Sequence, residues 1–187
     1  MNLRSLQVDG GHMKIYRGRI EPCTREIVEN LVKESFIEVA TPEEVEEVRK
    51  DLESVLNEYM RMEREITEKA KDAVSKQGMD YSSISKIRRS MAKEKEFGLD
   101  DEGLDYIVQQ MIEIMLSSVH VAEVFGQDHD MNRVIVPILR KHMAVDEELE
   151  REVRQKIKHL QDSEGGVNWE IEYNRVKADL ERLKKLK

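Results

Sequence analysis

Lys86, Arg89 and Lys93 are the residues whose type and spacing point most directly to chemistry. Steps of three and seven residues return a helix to nearly the same angle, so the three cations fall on one side of it. Arg88 and Lys95 stand beside them. Such a face can contact phosphates, because Lys and Arg displace the counterions condensed on a nucleic-acid backbone. No aromatic is interleaved on it for base stacking. The plainer reading is a solvated helix face whose cations favour the negative end of the helix dipole. Lys184 and Lys185 would extend the face only if the chain brings its third and last helices together.

The remaining polar groups give weaker signals. Asp128, His129 and Asp130 lie together, with His120 and Glu123 nearby. Adjacent residues in a turn do not make a metal site, and no His-x-x-x-His, Cys pair or calcium-loop spacing accompanies them. They read as a polar helix start. Cys23 follows Pro22 with no base nearby in sequence, which reads as an inert thiol. The acidic runs Glu43–Glu47 and Asp146–Glu152 are followed by Lys and Arg at helical spacing, the pattern of solvated ion-pair ladders. There is no Gly-rich phosphate loop and no nucleophile elbow. The sequence therefore names no catalytic residue, no metal and no cofactor.

The elements that would carry these groups are helices. Thr41-Pro42-Glu43-Glu44 combines an N-cap, a proline at the first helical position and the glutamate of a capping box. Val45, Val48, Leu52, Val55, Leu56, Tyr59, Met62, Ile66, Ala70 and Val74 then form one apolar stripe, uninterrupted by Gly or Pro until Gly78. A helix over Thr41–Lys76 spans about 50 Å. Adding 83 to each position from Val48 onward gives Met131, Ile135, Ile138, Leu139, Val145, Leu149, Val153 and Ile157, with His142 in place of Tyr59. The same shift carries Val28, Leu31 and Phe36 to Met111, Ile114 and Val119. His142 thus reads as a seam residue. Pro137 should kink or break the second long helix, where the first has Ser54.

The spacing predicts an all-α, elongated fold of two tandem related three-helix units, each built on one long helix. The units are 13–97 and 104–187, with a Gly-containing junction at 98–103 and a cloning-derived leader at 1–12. Short helices are expected at Thr24–Phe36, Tyr81–Phe97, Leu104–Val124 and Trp169–Leu186. The Leu104–Val124 helix is apolar on more than one face, so Met111, Ile114, Met115 and Val119 are candidate partner contacts.

Composition narrows the function classes. Charged residues make up 37% and aromatics only 5%, which suits long solvated helices around narrow aliphatic cores. The net charge of −8 argues against broad binding to nucleic acid or an anionic membrane. A single cysteine, no apolar run of membrane-spanning length and no signal-peptide core lead to the expectation of a cytoplasmic protein.

Asp80-Tyr81-Ser82-Ser83-Ile84-Ser85-Lys86-Ile87-Arg88-Arg89-Ser90-Met91-Ala92-Lys93-Glu94-Lys95 resembles the closing segment of the bacterial domain of unknown function 507 family. So do Met13-Lys14-Ile15, Glu26-Ile27-Val28 and the acidic start of the long helix. The resemblance covers much of Met13–Leu99 and, more weakly, the second unit, and implies an all-helical bacterial protein, with no functional residue to carry over. The sequence leaves two main readings, beside a third, an enzyme, that it gives no specific reason to prefer. One is a non-enzymatic interaction or scaffold protein that buries apolar anchors in a helical groove, with an unknown protein or a second copy as partner. The other is an RNA- or DNA-binding protein using the basic third helix.

Overall fold

The computed structural model describes residue 15, residues 17–158 and residues 167–183. The leader 1–12, the pair Lys184–Lys185 and most of the loop before the last helix lie outside the described residues. The elements are α1 (Arg17–Lys33), β1 (Ile37–Glu38), α2 (Pro42–Gln77), α3 (Ile84–Glu94), α4 (Gly103–Ser117), β2 (Glu123–Val124), α5 (Asp128–Lys156) and α6 (Val167–Leu183). The fold is all-α and elongated. Its only sheet among the described residues is the antiparallel pair Ile37–Val124 and Glu38–Glu123.

The long helix forms as its signals dictate. Glu44 N–H donates to Thr41 Oγ1 at 3.2 Å, and Thr41 N–H donates to Glu44 Oε2 at 3.1 Å, completing the capping box. The acidic start pairs forward: Arg49 lies between Glu46 and Glu53, and Lys50 meets Glu47 at 2.8 Å. Thirty-six residues make α2 about 54 Å long. Gly78, at φ 61°, ends it; the N–H of Met79 reaches back to the Val74 carbonyl at 3.1 Å. The ends of α1 and α3 close the same way, with Phe36 bonded to Leu31 and Phe97 to Ala92, but Ser35 (φ 59°) and Glu96 (φ 51°) take the left-handed position.

Four helices close a ring. α1 packs on α2 and α5, and α4 packs on the same two helices from the other side. The main core therefore draws on both halves of the chain, through Ile27 and Leu31, Leu52 and Leu56, Met111 and Met115, and Ile135 and Leu139. Beyond the ring each long helix continues into a hairpin. The far half of α2 packs on α3, and the far half of α5 packs on α6 around Leu149, Val153, Ile157 and Leu180.

The largest departures from the sequence expectation are in α1, α4 and α5. α1 begins at Arg17 rather than Thr24 and runs through Pro22, because Ile20 and Cys23 lie on the same buried stripe as Ile27 and Leu31. α4 stops at Ser117 rather than Val124. The Ser118 hydroxyl donates to Asp51 Oδ2 at 2.7 Å, and Glu123–Val124 leave to pair with β1. α5 continues through Pro137 without a break, held by buried Ile135, Ile138 and Leu139 on either side.

The constant shift of 83 also needs correcting. It relates the buried faces of α2 and α5: Val48, Leu52, Leu56, Tyr59, Ile66, Ala70 and Val74 against Met131, Ile135, Leu139, His142, Leu149, Val153 and Ile157. In α1 and α4 the buried faces differ by 84, pairing Cys23, Thr24, Ile27, Val28 and Leu31 with Ile107, Val108, Met111, Ile112 and Met115. Leu31 thus matches Met115 rather than Ile114. The strands differ by 86. A two-residue excess before β2 and a turn lost from the start of α5 explain the changes.

Candidate functional site

The side of α3 named by the sequence faces outward. Lys86, Arg89 and Lys93 are exposed, and no carboxylate among the described residues lies at ion-pair distance from Lys86 or Lys93. Arg89 makes one long contact, Nε to Asp100 Oδ2 at 3.4 Å. Arg88, which the sequence set beside them, points inward instead. It is 7% exposed and meets Asp100 Oδ1 at 2.6 Å and Glu63 at 3.6 Å. Burial of a guanidinium is tolerable only with such partners. Asp100 itself sits at φ 54° in the chain turn after α3. Its role was not visible in the sequence, where residues 98–103 read only as a Gly-containing junction.

Arg89 and Asp100 border two clefts. One, of about 790 Å³, continues along α3 past Lys93 to Phe97, Tyr106 and Gln109. The other, of about 400 Å³, lies between α2 and the start of α3 and is lined by Thr67, Lys71, Tyr81, Ser85 and Arg89. The Asp80 carboxylate accepts the Ser82 N–H at 2.8 Å and shapes the turn that carries Tyr81. Hydrogen bonds from Ser82 hold that carboxylate below its ordinary pKa. Tyr81, expected in the sequence as the first residue of this helix, stands instead in the turn before α3 and shares the cleft lining with Arg89.

Behind the first cleft, Tyr59, Phe97 and Tyr106 form an aromatic trio. Phe97 stacks on Tyr59 at 4.9 Å between centroids and meets Tyr106 edge-on at 5.0 Å. Burial raises the pKa of the Tyr59 hydroxyl, and its oxygen has no hydrogen-bond partner among the described residues. At the matching place on α5, His142 is buried with Nε2 3.0 Å from Glu26 Oε2, while its Nδ1 has no partner among the described residues. Lys141 Nζ donates to both Glu26 oxygens at 2.7 and 2.9 Å. The hydrogen bonds from Lys141, then from His142, hold the Glu26 carboxyl below its ordinary range.

The proposed partner contacts divide. Met111 and Met115 are buried in the chain's own core and present no surface, because the side of α4 that carries them closes the ring. Ile114 is half-buried. Val119 is 88% exposed on the connection from α4 to α5, where Phe125 is 55% exposed, and Leu116, in the last turn of α4, is 61% exposed. Cys23 is buried in the core. His129 Nε2 lies 3.2 Å from Asp130 Oδ1 in the first turn of α5. Among the described residues no three His, Cys, Asp or Glu side chains gather to hold a metal ion. Nor is any described helix long and apolar enough to cross a membrane.

The chain belongs to the family described as protein of unknown function (DUF507), whose model matches residues 13–186. A comparison with curated proteins returns no match.

Proposed function

We propose that this family member is a non-enzymatic helical interaction or scaffold protein, assembled from two related units, 13–97 and 104–187. The observation that carries the reading is the apolar exposure of Leu116, Val119 and Phe125 on one ten-residue stretch. Large side chains left in water together mark sites where another surface docks. The two hairpins extending from the ring add long helical faces to either side. The matched burial of α2 with α5 and of α1 with α4 supports the two-unit organisation.

Affinity capture from the source cell, with mass spectrometry, tests this reading when the natural chain is compared with a Leu116→Ser/Val119→Ser/Phe125→Ser variant. The variant loses a specific protein, or a second copy of the chain, that the natural protein retains. Identical captured sets would refute it.

A second reading is nucleic-acid binding through Lys86, Arg89 and Lys93. It is supported by the exposure of Lys86 and Lys93 and by the local charge. Thr67–Lys95 carries eight Lys and Arg against four Asp and Glu, in a chain of net charge −8. Asp100 weighs against it by holding part of the Arg89 charge.

A further inference from the structure

We propose that the cleft between α2 and the start of α3 binds a nucleotide, free or as one unit of a single strand, with its base on Tyr81 and its phosphate at Arg89. The proposal deepens the nucleic-acid reading and rests on it. Four observations meet in this place. The cleft, at about 400 Å³, falls within the range of small-ligand sites. Tyr81 is 74% exposed, so its ring is open to a planar partner. Arg89 is on the same wall; its side chain is 67% exposed and, among the described residues, restrained only by the 3.4 Å contact with Asp100. The surrounding segment reverses the sign of the chain's net charge.

The division of labour between the two arginines sharpens the chemistry. Arg88 is committed to Asp100 and Glu63 and fixes the floor. Arg89 meets the second oxygen of Asp100 at the limit of a hydrogen bond, so a phosphate can draw its guanidinium away at small cost. Lys71 from α2 and the Ser85 hydroxyl from α3 stand on the same walls and suit phosphate or sugar oxygens. Stacking on a tyrosine is tolerant of base identity, so this site selects a flexible single strand over a duplex, whose bases are already stacked.

Fluorescence anisotropy with a labelled short oligoadenylate and with a duplex of equal length, at about 50 and about 200 mM salt, tests this on the full chain. The single strand binds more tightly than the duplex. Tyr81→Ala weakens the single strand by roughly tenfold and leaves the duplex unchanged, while Tyr81→Phe stays within about twofold. Arg89→Ala weakens the single strand and flattens its salt dependence. Competition by adenosine monophosphate assigns the site to a free nucleotide; a strand that resists it assigns the site to nucleic acid. Equal affinity for strand and duplex, with Tyr81→Ala silent, overturns the cleft but leaves the basic-face reading standing. Absence of binding to either at low salt overturns both.

Discussion

Glu26 of α1 and His142 of α5 meet at 3.0 Å, carboxylate Oε2 to imidazole Nε2. They lie on the one side of the four-helix ring that no chain connection closes. α1 leads to α2 through β1, α4 leads to α5 through β2, and α2 reaches α4 through α3. Packing and this polar contact, reinforced by Lys141, hold α1 to α5.

That contact makes stability depend on pH. The Glu26 pKa is lowered in the folded chain, so its contribution is present above the unfolded carboxyl value and is lost as pH falls through the folded one. Glu26→Gln destabilises the protein at pH 7 by on the order of 1 kcal/mol, the scale of a partly exposed charged hydrogen bond. Urea unfolding of the two proteins should show this gap narrowing as the pH drops below the usual carboxyl range.

Tyr59→Phe should leave stability unchanged or raise it, by up to about 1 kcal/mol. The substitution removes a buried hydroxyl that has no hydrogen-bond partner among the described residues and keeps the ring stacked on Phe97. A fall in Tm would show that the hydroxyl has a partner in solution.

Ser35→Gly and Glu96→Gly should each stabilise the fold by roughly 0.5–1 kcal/mol. Both residues hold the left-handed position that ends a helix, at φ 59° and 51°, where a side chain is strained and glycine is not. Chemical denaturation of the single and double variants checks the effect, which should add because the two turns end different helices.

Gly98→Ala should cost about 3 kcal/mol and lower Tm sharply. A Cβ at Gly98 would stand 2.5 Å from the Tyr106 Cβ and 2.6 Å from the Glu102 carbonyl oxygen. Both are too close, and the second is backbone. A near-neutral result would mean that the turn between α3 and α4 can shift as a unit.

Much of this architecture was legible in the chain. The capping box at Thr41, the stop at Gly78 and the apolar stripe fixed α2 nearly to the residue, because each depends only on neighbours in sequence. His142 was placed on a seam, since a stripe records which side is buried. What the stripe does not record is the far side of the contact. Glu26, more than a hundred residues away, completes that pair, and Arg88 turns inward because Asp100 and Glu63 are there to meet it. Pro137 does not break α5, because burial on both sides of it outweighs one lost hydrogen bond. The apolar faces of α4 suggested partner contacts, but Met111 and Met115 meet the chain's own core, an outcome that depends on the ring. Tyr81 escaped notice because it joins the basic face through a turn rather than through helical periodicity.

All of these placements require that helices from both ends of the chain share a single core. Native-state hydrogen exchange measures this directly. The account predicts that the slowest amides of α1, α4 and the first halves of α2 and α5 exchange with one common free energy, equal to that of global unfolding. Exchange of residues 17–97 and 103–158 as two blocks, with different free energies and different responses to denaturant, would contradict it.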